Sequence, residues 1–114
     1  MPECIFCQIA AQKAKAAVVY EDEFCVVFQD TNPQAPVHLL VIPRRHIVSL
    51  NDVTEEESAL LGHMLVVAGR MAKEHGMDGR GFRTVINTNA EAGQTVFHLH
   101  IHVLGGRRLR WPPG

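Results

Sequence analysis

The sequence predicts an α+β domain in which about five antiparallel strands pack against one long helix. Short apolar runs separated by turn residues lie on both sides of the middle of the chain, and residues 54–76 alone show strong helical periodicity. Strands followed by one helix and then by further strands are typical of an antiparallel α+β fold. The 114 residues, 46% of them hydrophobic, suffice for one core, so we assign residues 1–114 to a single domain.

Five segments have the composition of β-strands. The first two, residues 18–20 and 25–28, are joined by an acidic turn. Residues 38–42 form a nearly continuous apolar run that ends at a proline, which is typical of a central strand covered on both faces. After the helix, the pattern predicts two further strands, over residues 82–87 and 96–104.

The helix is marked at both ends. Thr54 and Glu57 have the spacing of a capping box at its start, and Gly76 has the position of a C-cap. Apolar residues recur between them at helical spacing. Gly62 and Gly69 lie seven residues apart inside the helix, where they would allow another helix to approach closely or would simply be tolerated.

Three histidines near the end of the chain are the strongest functional signal. His98, His100 and His102 alternate with Leu99 and Ile101, and a period of two predicts a strand with all three imidazoles on one side. Such a face is a poor core, because every buried ring nitrogen needs a hydrogen-bond partner. The pattern therefore predicts chemistry at this strand.

The histidine pattern has two chemical interpretations. One is a three-histidine zinc site with an open position for water. The other is metal-free nucleophilic catalysis, in which the middle imidazole, His100, attacks an activated phosphorus. The loop that leads into the strand favours the second, because Gly93 lets backbone amides converge on an anion and Thr95 adds a hydroxyl donor.

Composition narrows the function classes. The formal net charge of −1 gives no general attraction to nucleic acid or to an anionic membrane. No apolar stretch reaches the roughly 20 residues of a membrane span, and we expect a cytoplasmic protein. Of the three cysteines, Cys4 and Cys7 have metal-ligand or reactive-thiol spacing, whereas Cys25 lies in an apolar strand and is expected in the core.

Several separated segments together resemble the histidine triad (HIT) family. Residues 98–104, HLHIHVL, are similar to the motif that names this family, and residues 34–43, QAPVHLLVIP, resemble its preceding central strand. The Gly-Gly-Arg at residues 105–107 and the Trp-Pro-Pro-Gly at residues 111–114 resemble the ending of its Hint-like branch. The resemblance implies a HIT-like fold that dimerises.

The Hint-like resemblance implies a specific activity. Hint-like proteins are homodimeric purine nucleoside phosphoramidate hydrolases, which split an AMP-amine conjugate into AMP and the amine through a covalent nucleotidyl-histidine. At the matching positions His100 would be the nucleophile, His102 would contact the phosphate and leaving-group side, and His38 would complete a proton relay. The tail at residues 105–114 would reach toward the site of the partner subunit. No catalytic cofactor is needed.

The same resemblance places the nucleotide. The backbone at Gly93, Gln94 and Thr95 would hold the α-phosphate. Asn87 would assist there, and Asp30 would accept the ribose hydroxyls. The apolar slot for the base would be formed by five side chains: Ile5, Phe6, Ile9, Phe28 and Leu40. Trp111 would help to determine which leaving group is accepted.

The resemblance also implies a structural metal. Some HIT proteins with a C-x-x-C near the start bind zinc through both cysteines, the histidine after the Pro-Arg or Pro-Lys turn and the first histidine of the triad. Here those ligands are Cys4, Cys7, His46 and His98. Four nitrogen and sulfur ligands would close a tetrahedral structural site and leave His100 free. The alternative is a pair of reduced cysteines without a ligand.

Other functions fit the same sequence. The nearest enzyme alternative is a dinucleotide polyphosphate hydrolase or nucleotidyl transferase of the same fold, against which the Trp-Pro-Pro-Gly ending argues. A different class is a nucleotide-binding regulatory module whose catalysis is incidental. The residues do not separate adenosine from guanosine, and they do not identify the amine.

Overall fold

Five strands form a single antiparallel sheet. The structure, a computed structural model, describes residues 3–114. The strands lie in the sheet in the order β1-β2-β3-β5-β4, and all four pairings are antiparallel, which confirms the predicted fold class. Their bounds are β1 (Val18–Glu21), β2 (Cys25–Gln29), β3 (Val37–Pro43), β4 (Phe82–Val85) and β5 (Ile101–Gly105).

One long helix and one short helix accompany the sheet. The long helix α2 (Ser58–Glu74) confirms the sequence prediction, and the capping box is present: the Thr54 N–H donates to Glu57 Oε1 at 2.7 Å. The box closes a 3-10 turn that leads into α2, and Gly76, with φ +75°, follows the helix end. The short helix α1 (Ile5–Ala10) was not predicted, because six residues are too few to show helical periodicity.

The two helices cover opposite faces of the sheet. Helix α2 packs on the larger cluster through Met64, Val67 and Met71, and the strands contribute alternate residues such as Leu39 and Val103 to the same cluster. Helix α1 packs on the other face, against a smaller cluster of side chains from β2 and β3: Val26, Phe28, Leu40 and Ile42. The central strand β3 is thereby buried on both faces, as predicted.

The alternation of side chains along the strands brings the site residues to the α1 face. In β3, Leu39 points toward α2, so its neighbours His38 and Leu40 point toward α1. Leu40 is paired with His102 of β5, which places that imidazole on the same face. Within residues 3–114, no helix is long and apolar enough to cross a membrane.

The predicted histidine strand is correct only in its second half. β5 begins at Ile101, so His98 and His100 lie in the extended segment before it, and β4 likewise ends two residues earlier than predicted. The register that pairs Val41 with Ile101 would next place residue 99 opposite Pro43, which has no N–H to continue the ladder. Leu99 instead donates its N–H to the carbonyl of Ile47, at 2.6 Å.

Candidate active site and metal centre

A cavity of about 470 Å³ opens on the α1 face of the sheet. Ten of the residues predicted for the nucleotide and for catalysis line it, half of them apolar and half polar. The apolar group consists of Ile5, Phe6, Ile9, Phe28 and Leu40, and the polar group of Asp30, His38, Thr95, His100 and His102. Residues as far apart in the chain as Ile5 and His102 therefore meet in one cavity.

Four predicted binding residues do not line this cavity: Asn87, Gly93, Gln94 and Trp111. The buried amide of Gln94 holds the loop before Thr95 in place, because it donates to the carbonyls of Val48 and Val96 and accepts from the backbone of Asn89. Trp111 is 80% exposed and lies beside the Arg83 guanidinium. The roles predicted for these four residues remain predictions.

One imidazole is oriented by a backbone carbonyl. His100 Nδ1 lies 2.7 Å from the carbonyl oxygen of His98, and since a carbonyl only accepts, Nδ1 carries the proton. The neutral ring then has its lone pair on Nε2. The ring is 8% exposed and lies edge-on to Phe6, with centroids 5.2 Å apart. In its neutral form His100 therefore presents an Nε2 lone pair to the cavity.

Two further imidazoles, those of His38 and His102, orient each other through a hydrogen bond. The Gln34 N–H donates to His38 Nδ1 at 3.0 Å, so the proton of the neutral ring is on Nε2. That nitrogen lies 2.8 Å from His102 Nδ1 and 3.4 Å from Asp30 Oδ2. His102 Nδ1 consequently accepts, and its own proton is on Nε2. The pair thus ends in a single N–H donor on His102.

Burial keeps both rings of this pair uncharged. Desolvation lowers the pKa of His102 to about 4, and the neighbouring imidazoles of His100 and His38 act in the same direction. Desolvation also lowers the pKa of His38, although the Asp30 carboxylate opposes the shift. At neutral pH the pair is therefore a hydrogen-bonded chain of two neutral rings.

Asp30 stands where β2 passes into the following loop. Its Oδ1 accepts the Asn32 N–H at 2.8 Å, a contact that is common for Asp residues in turns. Its Oδ2 faces His38. The side chain is 20% exposed and lines the cavity. The carboxylate therefore retains acceptor capacity for a hydroxyl-bearing ligand.

The four predicted metal ligands meet in one place. Sγ of Cys4 and Sγ of Cys7 lie 3.3 and 3.5 Å from His98 Nδ1, and Cys7 Sγ lies 3.2 Å from His46 Nδ1. The two nitrogens are 3.2 Å apart, and all four ligand atoms lie within 4.8 Å of one another. Residues from α1, from the segment after β3 and from the triad thus form one cluster.

The cluster fits a tetrahedral ion. His98 Nε2 donates to the carbonyl of Pro43 at 2.8 Å, so in the neutral ring the lone pair is on Nδ1, which faces the cysteines. Burial lowers the pKa of His98 to about 4 and so favours the neutral form that a metal needs. Zinc bonds of about 2.0–2.3 Å separate tetrahedral ligands by about 3.3–3.8 Å, close to the contacts observed here.

The three-histidine zinc interpretation is wrong. His98 Nδ1 faces Cys4 and Cys7, whereas His100 Nδ1 faces a carbonyl and His102 Nδ1 faces His38. Among the described residues, the candidate metal clusters do not include the three triad histidines together. The period of two suggested one shared face, but each ring has a different orienting partner, and these partners send the three rings in different directions.

Some residues of the cavity wall were not predicted. They include Lys15 and Ala16 after α1, and Gln29, Thr31 and Gln34 around Asp30. Gln34 also orients His38 through its backbone N–H, a contact to which its side chain makes no contribution. For Gln29, Thr31 and Gln34, the only signal in the sequence was their proximity to Asp30.

Comparison with known proteins gives the family. Residues 3–108 match the family model described as scavenger mRNA decapping enzyme C-term binding. A HIT-like protein of Synechocystis is 53% identical over 112 residues, which cover 98% of this chain and 97% of that protein. The chain belongs to the histidine triad family. Its HIT-like fold is also that of the solved relatives.

Two solved HIT structures are especially informative. A HIT family hydrolase from Legionella pneumophila superposes with a TM-score of 0.97 at 46% identity, covering 98% of this chain and all of that one. A zinc-bound histidine triad family protein from Mycobacterium smegmatis gives a TM-score of 0.80 at 36% identity, with coverage of 96% and 81%. The fold of this chain is therefore shared with proteins named as a hydrolase and as a zinc-bound member.

Proposed function

We propose that this HIT protein is a purine nucleoside phosphoramidate hydrolase that converts an AMP-amine conjugate into AMP and the amine. The observation that carries the proposal is the orientation of His100. The carbonyl of His98 holds the proton on Nδ1, which leaves the Nε2 lone pair in a cavity with an apolar slot and a carboxylate. A neutral imidazole in that state is a nucleophile.

The proposed reaction has two steps. His100 Nε2 attacks the α-phosphorus, the Nε2–P bond forms, and the P–N bond breaks as the amine takes the Nε2 proton of His102, which a solvent proton replaces, so that the His102–His38 pair stays neutral. Water then attacks the same phosphorus, the Nε2–P bond breaks, and one proton of the water passes to solvent. AMP and the amine are the products, and one water is consumed.

The walls of the cavity support a nucleotide in that reaction. Phe6 and Phe28, whose ring centroids are 5.4 Å apart, form part of an apolar slot for the base. Asp30 would accept the ribose hydroxyls in charge-assisted hydrogen bonds. The Thr95 hydroxyl and the backbone of the preceding loop would stabilise the charge on the phosphoryl oxygens. The Legionella relative, named a hydrolase, is consistent with this chemistry.

Rapid-quench intact mass spectrometry tests the nucleophile. The wild-type protein, mixed with an AMP-amine phosphoramidate, is expected to gain the mass of one AMP adduct, which decays as free AMP accumulates. His100→Ala is expected to form no adduct and to lose turnover by a factor of 10³ or more, on the order of what removal of a nucleophile costs. His75→Ala, an exposed histidine at the end of α2, is the matched control and should behave as wild type.

Two results would contradict this proposal. Turnover by His100→Ala close to wild type would exclude His100 as the nucleophile. Neither adduct nor AMP release by the wild type, together with measurable AMP binding, would favour the nucleotide-binding module instead. Adducts formed much faster from a dinucleotide polyphosphate would favour the alternative enzyme class.

We also propose that Cys4, Cys7, His46 and His98 hold a structural zinc ion. The fit of the cluster to a tetrahedral ion supports this, and the zinc-bound relative from Mycobacterium smegmatis is consistent with it. The ion would supply cross-linking and no chemistry, because the nucleophile is a different histidine. The predicted cytoplasmic location, a reducing compartment, would keep both cysteines available as ligands.

Finally, we propose that the protein is a homodimer. Helix α2 exposes Leu65 and Val66, 48% and 68% accessible, on the side opposite its buried residues. Gly62 and Gly69 flank them, and a Cβ at either position would have no neighbour within 4 Å. An exposed apolar stripe between two glycines suits close packing against a second copy, which would bring each tail, residues 105–114, toward the partner's site.

A further inference from the structure

A second groove adjoins the proposed nucleotide cavity. Its volume is about 350 Å³, and it shares three lining residues with the cavity: Ile5, Thr95 and Val96. Phe97 lines the groove but not the cavity, as do Glu3 and two of the proposed zinc ligands, Cys4 and His46. The two spaces are therefore continuous along one edge, and Thr95, which is expected beside the phosphate, lies on that edge.

The groove presents apolar surface that the chain does not cover. Phe97 is 48% exposed and Ile5 is 45% exposed, although both are large apolar side chains next to a predicted catalytic centre. Exposed apolar side chains that line a groove together are more informative than scattered ones, because they mark a surface that a ligand can cover.

The backbone that carries Phe97 is fixed on both sides. The carbonyl of Val96 accepts from the Gln94 amide at 3.2 Å, and the ring of His98 donates to the carbonyl of Pro43 at 2.8 Å. Gln94 is 5% exposed and His98 is fully buried, so neither anchor is exchanged with solvent. Phe97 consequently has a defined place beside the cavity, as a specificity determinant requires.

The geometry of a bound nucleotide determines what could reach this groove. In the proposed function the slot between Phe6 and Phe28 takes the base and Asp30 takes the ribose, and none of these three residues lines the groove. Thr95 and His100 are at the phosphate end. The part of a phosphoramidate that extends beyond the phosphorus is the amine, and the groove is the space that continues from there.

We infer that Phe97, with Ile5, forms a subsite that binds the leaving group and selects amines with an aromatic or large apolar substituent. This inference rests on the proposed function and adds the substrate class of its leaving group. The contact is made beside the reacting phosphorus but not with it, so Phe97 is a specificity determinant. Its removal should act on the choice of amine more than on the chemical step.

Two phosphoramidates of AMP that differ only in the amine test this inference. One carries 2-phenylethylamine and the other ethylamine, and kcat/KM is measured for both with wild type, Phe97→Ser and Phe24→Ser. The wild type is expected to prefer the aromatic amine by about tenfold, because an added apolar group in a pocket changes kcat/KM by about that factor or more. Phe97→Ser is expected to reduce this ratio to within about twofold, chiefly by raising KM for the aromatic substrate.

Phe24 is the matched control. It is 53% exposed, and it lines a different groove, beside His63. Because the readout is a ratio, a partial loss of folded or active protein cancels. The Phe24→Ser variant should therefore keep the wild-type ratio, and the zinc content of each variant is measured alongside.

The other outcomes separate the two proposals. Hydrolysis of both substrates with the same ratio in wild type and Phe97→Ser overturns the subsite and leaves the phosphoramidase intact. A ratio lost equally in Phe24→Ser also overturns it, because the effect would not be local. Hydrolysis of neither substrate by the wild type overturns the proposed function, and the subsite with it.

Discussion

At the scale of single residues, backbone groups fix the tautomers of three imidazoles, His98, His100 and His38. The carbonyls of His98 and Pro43 each hold a proton on a ring nitrogen, and the N–H of Gln34 keeps one off His38 Nδ1. These partners cannot titrate in the physiological range, so the tautomers do not depend on the charge of a neighbouring side chain. His100 can thus be presented as a nucleophile without a carboxylate in contact with it.

The lowered pKa of His102 predicts a dependence of stability on pH. In the unfolded chain its pKa returns to about 6.5, so below that pH the unfolded state binds more protons than the folded state, whose pKa is about 4. Stability is therefore expected to be constant above pH 7 and to fall as the pH decreases from 6.5 toward 4. Between pH 7 and 5 this residue contributes a loss of at most about 2 kcal/mol.

Urea unfolding at pH 7 and at pH 5 measures this contribution. His102→Asn keeps an acceptor for His38 but cannot be protonated, so it is expected to lose less stability than wild type over the same interval. His75→Asn, a change at an exposed histidine, should lose as much as wild type. An equal pH dependence in wild type and His102→Asn would mean that His102 is not held neutral by the fold.

The alternating pattern alone predicts which histidines matter, whereas the separate roles predicted for them came from the resemblance to the HIT family. Alternation with Leu99 and Ile101 was enough to predict that the three imidazoles lie near one another and that the two aliphatic side chains between them pack in the core. It could not predict that His98 turns toward Cys4 and Cys7, because those residues are about 90 positions away. The tautomer of His98 likewise depends on the distant carbonyl of Pro43, a contact that a local pattern does not contain.

At the scale of elements, one proline explains the largest error in the predicted secondary structure. Pro43 ends β3 and would face Leu99 in the continued ladder, so β5 begins only at Ile101. Alternation alone cannot detect this, since it requires the register between two strands. The strands were otherwise located within one or two residues, because their burial follows the apolar pattern directly.

Helix α2 is the element whose exposed face predicts an assembly. Val66→Glu places a charge in the middle of the stripe between Gly62 and Gly69, where a dimer would have to bury it. The wild type is expected to elute at twice the chain mass of 12.7 kDa in size-exclusion chromatography with light scattering, and the variant as a monomer. Val48→Glu, at a 38% exposed loop position, is the control and should remain dimeric. A monomeric wild type would contradict the proposed homodimer.

At the scale of the whole molecule, the cluster of proposed metal ligands joins α1 to distant parts of the chain. Helix α1 has six residues, too few to be stable alone, and its apolar contacts are with the smaller of the two clusters. Cys4 and Cys7 would tie it through the ion to His46 and His98. The same helix lines the cavity through Phe6 and Ile9, so the proposed ion and the proposed nucleotide site would depend on one short element.

This coupling predicts the effect of removing the metal. Protein purified without chelators is expected to contain one zinc per chain, and Cys7→Ser to contain little. Zinc at a hundredfold excess over its Kd stabilises the folded state by about 2.7 kcal/mol. For a domain of this size that corresponds to a decrease in Tm of roughly 10 °C on chelation. AMP affinity should fall in parallel, because α1 carries three of the five apolar residues of the proposed slot, Ile5, Phe6 and Ile9.

Cys25→Ser separates the metal from a general effect of losing a cysteine. Cys25 is fully buried in the α2 cluster, and its thiol donates to the Asp22 carboxylate at 3.7 Å, a contact that a serine hydroxyl can also make. This variant is expected to retain one zinc and to keep the response of Tm to chelation, even if its own Tm differs from wild type. Zinc near zero in freshly purified wild type, or a Tm unchanged by chelation, would show that α1 is held by its apolar contacts alone.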